Sequence, residues 1–195
     1  DVAPSRGLGD VYKRQILIPS CDHSSDLRTC VESIYRRSTY EDLEIIVIEN
    51  NSREPATFRC YEKLQKEHKN LKVITWQGTG FNYSALNNFG AKEATGEYLL
   101  LLNNDTEVIS PRWIEEMLMY AQQDRVGCVG AKLLYPDNTI QHAGIGFGFL
   151  TLAAHMHKNF PVGHPGYMGR LVYAQDVYAA VSYTHLRAHE TELHL

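Results

Sequence analysis

LLLLNNDTEV, residues 99–108, joins the most apolar run in the middle of the chain to a cluster of polar side chains. Leu99 to Leu102 lead directly into Asn103, Asn104 and Asp105. A strand made only of leucine lacks the alternation of a half-exposed strand, which is typical of a strand buried on both faces of a parallel sheet. The stretch therefore predicts a buried strand that ends on side chains suited to water, a metal ion or a phosphate.

Apolar strands and amphipathic helices alternate on either side of this stretch. Four helices are predicted. The first follows a cap at Ser24 or Ser25, and the second has Pro55 in its first turn. The third is ended by Gly96, and the fourth begins after Pro111. The predicted strands are residues 16–18, 43–49, 71–76, 97–102 and 126–135. This alternation predicts βαβ units, and hence an α/β fold with a mostly parallel sheet flanked by helices.

The composition limits the function classes. A chain of 195 residues with 44% apolar residues suits one domain with a real core. The net charge of −4 gives no basic surface, so nucleic acid is not expected as a partner. The four cysteines form no CxxC pair, which favours free thiols in a reducing, cytoplasmic compartment. The apolar run at Leu99–Leu102 is far short of the roughly 20 residues that span a bilayer.

The two ends differ from the rest of the chain. DVAPSRGLGDVYKRQ (1–15) and VSYTHLRAHETELHL (181–195) resemble translated sequencing-adapter read-through, and such segments are left out of fold reasoning. We therefore expect non-native tails at 1–15 and 182–195, and a domain at 16–181 that is truncated, with its C-terminal part incomplete. Three histidines in the second tail are for this reason not interpreted as a metal site: His185, His189 and His194.

Polar clusters follow three of the predicted strands: SCDH, ENNS and NNDTE. Ligands of parallel sheets bind beyond the carboxyl ends of the strands, so Asp22, Glu49 and Asp105 are expected at one rim. Beside them stand four amides: Asn50, Asn51, Asn103 and Asn104. Such an oxygen-rich rim suits Mg²⁺ or Mn²⁺ shared with substrate phosphates, or hydrogen bonds to a base or ribose. The sequence GTGF is not GxGxxG, and GxxxxGK[ST] is absent, which disfavours hydride-transfer enzymes and P-loop NTPases.

Several stretches in order resemble a family 2 glycosyltransferase with the GT-A (Rossmann-like) fold. They are ILIPSCDH, YEDLEIIVIENNS, GFNYSALNNFGAKEATGEYLLLLNNDTEVI and WIEEMLMYAQQDRVGCVGAKLLYPDNTIQHAG, and the resemblance covers nearly all of 16–181. The last stretch is closest to the rhamnosyltransferase-like branch of O-antigen and rhamnan assembly enzymes.

The resemblance implies a role for individual residues. Asp105 stands at the metal-binding position, for Mg²⁺ or Mn²⁺, and Glu49 at the position that holds the base or ribose. Asn87 falls where the family often has an arginine that contacts the diphosphate. The other residues expected on the nucleotide side are Pro19, Ser20, Cys21, Asp22, Asn51, Asn103 and Asn104.

The implied reaction transfers a sugar, rhamnose in this branch, from a nucleotide-diphosphate donor to a glycan or lipid-linked acceptor with inversion. The general base is expected beyond Val181, where the family's pattern breaks off, so the fragment is expected to be inactive alone. Asp137 and Asp176 do not stand at the base position, and His142 would face the acceptor or complete a metal shell. Such acceptors would place the parent protein at the inner face of the membrane.

Two other interpretations remain open. A nucleotidyltransferase that makes the activated sugar would need a glycine-rich first loop with basic residues, which SCDHSS does not provide. A non-catalytic nucleotide- or carbohydrate-binding α/β module would share the polar rim but transfer nothing.

Overall fold

The alternation of strands and helices is present in the structure, a computed structural model that describes residues 14–148, 152–180 and the backbone of 184–188. Its first part consists of β1 (Arg14–Ser20), α1 (Ser24–Arg37), β2 (Leu43–Glu49), α2 (Pro55–Glu67), β3 (Leu71–Thr75), α3 (Tyr83–Lys92), β4 (Tyr98–Leu102) and α4 (Trp113–Ala121). Short strands follow: β5 (Val129–Gly130), β6 (Leu133–Leu134), β7 (Ile140–His142), β8 (Ile145–Gly146), β9 (Ala154–His155) and β10 (Thr184–Ala188).

The main sheet has the strand order β3-β2-β1-β4-β10-β5. Strands β1 to β4 pair in parallel, and β10 is antiparallel to both β4 and β5. The chain moves outward from β1 to β3 and then returns to the other side of β1 to form β4. In an open α/β sheet, the crevice at such a reversal of strand order is where ligands bind. The predicted fold class is confirmed, and the reversal falls between β1 and β4.

The leucine run is buried because its side chains serve two core layers. Leu100 and Leu102 pack in the layer under α1, α2 and α4. Leu99 and Leu101 point to the opposite face and pack in the layer under α3. Successive side chains of a strand point to opposite faces, so a strand covered on both sides needs apolar residues at every position.

Several predicted element ends are wrong, for reasons that lie in other parts of the fold. No serine side chain caps α1, because the chain leaves β1 through two left-handed residues and the cap position falls on His23. Helix α3 ends at Lys92, and the N–H of Gly96 donates instead to Oε1 of Gln15. Helix α4 begins at Trp113 rather than directly after Pro111.

The predicted fifth strand, residues 126–135, is divided into β5 and β6. Strand β5 pairs with β10 in the main sheet, whereas β6 pairs with β7 in a separate two-stranded sheet. The apolar run therefore changes sheets part-way along, which its hydrophobicity alone does not indicate. Strand β10 comes from the segment that we expect to be a non-native tail, and its backbone completes the sheet between β4 and β5.

Candidate functional site

The loops that follow β1, β2 and β4 meet at the carboxyl edge of the sheet and enclose a cleft of about 200 Å³. The cleft lies at the reversal of strand order, where the side-chain amide of Asn104 donates to Oγ of Ser20 over 3.4 Å. Its walls are formed by Pro19, Ser20, Cys21, His23, Asn50, Phe81, Leu86 and Asn104. Residues from all three predicted polar clusters therefore lie at this one edge of the sheet.

Residues on the β1 side of the cleft include the predicted Pro19, Ser20 and Cys21. The Cys21 side chain is exposed. Partial burial and the neighbouring carboxylates of Asp22 and Glu49 raise the pKa of its thiol. The thiol is therefore protonated at neutral pH and offers a neutral, polarisable surface rather than a nucleophile.

Glu49 and Asn51 support the opposite wall of the cleft. Glu49 is only 4% exposed, and its Oε1 accepts the N–H of Ser52 at 2.6 Å. The amide of Asn51 donates to Oδ1 of Asn50 and to the carbonyl of Gly78, both at 3.0 Å. Asn51 thereby ties the loop after β2 to the loop after β3.

Asp105 is exposed just beyond β4, and no hydrogen bond or ion pair within the described part of the chain engages its carboxylate. The backbone of Asn103 is occupied, since its carbonyl accepts from the hydroxyl of Thr106 at 2.9 Å. The described residues contain no group of three or more His, Cys, Asp or Glu side chains that would hold a metal ion by themselves. With Asp105 as one exposed carboxylate, this edge suits a hard cation that takes its remaining ligands from phosphate oxygens and water. It does not suit a cation whose ligands all come from the protein.

Two residues predicted on the nucleotide side do not present their polar groups to the cleft as expected. Asn87 is fully buried in α3, and its amide donates to the carbonyl of Tyr83 at 2.8 Å. Asp22 uses Oδ1 to accept the backbone N–H groups of Arg53 and Glu54. The Asn87 amide bonds within its own helix, whereas Asp22 joins the loops that follow β1 and β2.

His142, predicted on the acceptor side, is 2% exposed. Its Nε2 accepts the N–H of Gly144 at 3.3 Å, which places the ring proton on Nδ1, 3.1 Å from Nδ1 of His155. Burial, and to a lesser extent electrostatic repulsion between the two imidazole rings, lowers the pKa of His142 to about 4. The ring is therefore neutral and oriented by its neighbours, and in this tautomer neither nitrogen is available to a metal.

Sequence reasoning missed three residues of the cleft: His23, Phe81 and Leu86. Phe81 is 74% exposed, although a phenylalanine ring favours burial. The signal in the sequence was an aromatic residue directly after Gly78 and Gly80 in a loop that follows a strand, at the same edge as the polar clusters. No helix in the described ranges is long and apolar enough to cross a membrane.

Comparisons with known proteins agree with this geometry. The model of the family "Glycosyl transferase family 2" matches residues 15–165. The uncharacterized protein y4gI of Sinorhizobium fredii is 44% identical over 86% of the chain, and the O-antigen biosynthesis protein RfbC of Myxococcus xanthus is 42% identical over 82%. The chain spans only 18% and 12% of the lengths of these two relatives.

Among solved structures, the chain is similar to the mannosyltransferase PcManGT from Pyrobaculum calidifontis in complex with GDP-Man and Mn²⁺. The TM-score is 0.56 at 18% identity, over 65% of this chain and 37% of that one. At this identity the likeness concerns the fold, a parallel sheet flanked by helices.

Proposed function

This chain belongs to glycosyltransferase family 2, and from that premise we propose that its cleft binds the nucleotide diphosphate of a sugar donor. The observation that carries the proposal is the position of the cleft at the reversal of strand order, with Asp105 exposed at the end of β4. PcManGT, which has the same fold, is described with a nucleotide-sugar and Mn²⁺. We propose a ligand of the same chemical class for this chain.

The nucleoside is proposed to lie between the β1 loop and Phe81. Pro19, Cys21 and Phe81 offer apolar or polarisable surface to a base, and a base stacks well on an aromatic ring. Ser20 and Asn104 supply polar groups toward the ribose and the diphosphate. Glu49 is proposed to act on the ribose or base from beneath, with its orientation set by the N–H of Ser52.

Asp105 is proposed as the protein ligand that would hold Mg²⁺ or Mn²⁺ together with the diphosphate, and the adjacent Asn103 and Asn104 would offer polar groups to the phosphate oxygens. When bound, such a cation stabilises the negative charge that develops on the leaving diphosphate. The carboxylate of Asp105 supports this role, because it is exposed and no described residue engages it.

We propose transfer with inversion at the anomeric carbon. The acceptor oxygen forms its bond as the bond to the diphosphate oxygen breaks, and a carboxylate base must take the hydroxyl proton. The described residues offer poor candidates for this base: Thr139 holds the pKa of Asp137 below its ordinary value, which weakens it as a proton acceptor. With the base expected beyond Val181, we propose that this chain binds donor but transfers slowly.

The sugar and acceptor are proposed from the relatives. The 42% identity to an O-antigen biosynthesis protein favours assembly of a bacterial surface polysaccharide. The resemblance of the LYPDNTIQHAG stretch to the rhamnosyltransferase-like branch favours rhamnose as the transferred sugar and a glycan or lipid-linked acceptor. Such an acceptor would bring the parent protein to the inner face of the membrane.

The test is calorimetric titration of the chain with UDP, dTDP and GDP, each with and without Mn²⁺. Binding of one nucleotide should require the metal, and Asp105→Ala should weaken that binding at least about tenfold, or about 1.4 kcal/mol. Asp124→Ala, which removes another exposed aspartate after α4, is the matched control and should bind normally. A folded wild-type chain that binds none of the three nucleotides would contradict the proposal.

A further inference from the structure

We propose that Asp22 is a positioning residue that fastens the loop after β1 to the loop after β2, and so fixes the separation of the two cleft walls. The inference rests on the proposed function, because it concerns the same donor site. It assigns Asp22 a different task from the nucleotide contact expected from the sequence. The Asp22 bridge denotes the hydrogen bonds that join Asp22 to Ser52, Arg53 and Glu54.

The bridge consists of bonds in both directions between the two loops. Oδ1 of Asp22 accepts the N–H groups of Arg53 and Glu54, each at 2.9 Å. The N–H of Asp22 itself donates to Oγ of Ser52 at 3.0 Å. Three bonds between segments about 30 residues apart fix both distance and orientation, which a single contact would not do.

The bridge continues to the predicted nucleoside-binding residue. Ser52, whose Oγ accepts from Asp22, donates its own N–H to Oε1 of Glu49 at 2.6 Å. Ser52 therefore links Asp22 to the buried carboxylate of Glu49, so a shift of Asp22 would also move Glu49. Cys21, the immediate neighbour of Asp22, lines the cleft from the other side.

The backbone on both sides of the bridge adopts conformations that need outside support. Asp22, His23 and Asn51 have φ values of 52°, 51° and 57°, in the left-handed region. Residues other than glycine adopt this conformation at an energetic cost, and they keep it where the surrounding structure over-determines them. The bridge supplies that constraint to both loops.

The charge of Asp22 also suits its position near the start of α2. Glu54, at the N-cap of α2, makes no side-chain cap of its own, and Asp22 accepts its N–H from the other loop. The N–H groups of Glu54 and Arg53 hold the pKa of the Asp22 carboxyl below its ordinary value. The bonds themselves need only an oxygen acceptor at Oδ1, which an asparagine also provides.

This last point gives a test that separates positioning from direct contact. In metal-dependent titrations with the nucleotide that the wild type binds, Asp22→Ala should weaken binding about tenfold or more. Asp22→Asn, which keeps the oxygen, should bind within about threefold of wild type. Asp137→Ala is the matched control: it removes a similar aspartate, whose Oδ1 accepts the N–H and hydroxyl of Thr139 in another turn, and should bind normally.

Two results would overturn the inference. If Asp22→Asn loses as much affinity as Asp22→Ala, the charge acts on the ligand or its metal directly. If Asp22→Ala binds the nucleotide as tightly as wild type, the bridge does not fix the separation of the cleft walls. Should Asp22→Ala fail to fold, the Asp22→Asn measurement decides between positioning and contact on its own.

A second measurement does not depend on any nucleotide. Amide hydrogen exchange followed by NMR should show Arg53 and Glu54 protected in the wild type and in Asp22→Asn. Asp22→Ala should lose about tenfold or more of that protection, and the amide resonance of Ser52 should shift. Unchanged protection in Asp22→Ala would overturn the bridge. A wild type that binds no nucleotide but shows these changes would refute the proposed function and leave the bridge standing.

Discussion

At the residue scale, the polar side chains of the carboxyl edge divide into two groups with different tasks. Asp105 and Asn104 face the open rim, where a ligand can reach them. The side chains of Asp22 and Asn51 instead form hydrogen bonds to neighbouring loops. The division follows from backbone N–H and carbonyl groups in these loops that need partners once the loops pack together.

Phe81 should contribute directly to nucleotide affinity. Because stacking of a base on an aromatic ring is worth about 1–3 kcal/mol, Phe81→Ala should weaken nucleoside diphosphate binding by roughly 5- to 150-fold, and Phe81→Trp should retain it. Inorganic pyrophosphate, which has no base, should bind both variants as it binds the wild type. Phe147→Ala, another exposed phenylalanine at 61%, serves as the control. Equal nucleotide affinity of Phe81→Ala and wild type would exclude stacking on this ring.

His142 should make the fold less stable in mild acid. Its pKa is lowered from 6.5 to about 4, so between these values the unfolded chain binds a proton that the folded chain does not. Stability is therefore fully present above about pH 6.5 and falls as the pH decreases toward 4. From pH 7 to pH 5 the loss should be on the order of 2 kcal/mol.

Urea unfolding at the two pH values measures this loss. His142→Gln should reduce the difference between pH 7 and pH 5, whereas His164→Gln, at an exposed position, should leave it unchanged. An NMR titration should place the midpoint of the His142 ring near pH 4. The same pH dependence in wild type and His142→Gln would show that another group is responsible.

At the element scale, α3 approaches the sheet closely at Gly90. A Cβ at this position would lie 2.5 Å from Cδ1 and 3.2 Å from Cγ1 of Ile48, a side chain that is fully buried, and 3.4 Å from Cδ1 of Leu17. The close approach brings Leu86 of the same helix into the cleft wall. The packing of α3 on β2 therefore helps to shape the site.

Gly90→Ala should destabilise the protein although alanine is the better helix former. Overpacking typically costs about 1–3 kcal/mol, which exceeds the gain of roughly 1 kcal/mol in helix propensity. Gly127→Ala is the control, since nothing lies within 4 Å of a Cβ there. Chemical denaturation of both variants measures the difference, and a Gly90→Ala protein as stable as wild type would show that the helix can move away from the sheet without cost.

The central elements could be predicted because their signals are local. The apolar runs of β1 to β4 and the first-turn Pro55 are readable from periodicity and residue type. The errors concern helix ends that depend on contacts with distant residues. The side chain of Gln15, for example, accepts the N–H of Gly96, which is 81 residues away in the sequence. A helix end that competes with a distant acceptor leaves no local trace in the sequence.

At the scale of the whole molecule, the strand order places the cleft that we propose as the donor site, while the proposed reaction also needs a general base. We expect the chain to bind donor but to turn over more slowly than about 1 s⁻¹, since the described carboxylates Asp137 and Asp176 are not at the expected base position. Release of nucleoside diphosphate from UDP-, dTDP- and GDP-sugars in the presence of Mn²⁺ measures the rate. The mannosyltransferase PcManGT with GDP-mannose and Mn²⁺ is the positive control, and turnover at 1 s⁻¹ or more by this chain would contradict the expectation.

The sequence by itself determined the α/β class, the burial of β4 and the edge of the sheet on which the polar clusters gather. It could do so because strand periodicity and chain order fix which ends of parallel strands lie together. Only the tertiary structure decided that Asp22 bridges two loops, that Asn87 is buried and that Phe81 enters the cleft. These outcomes depend on distances between loops far apart in the chain, which are set by the packing of whole helices and strands.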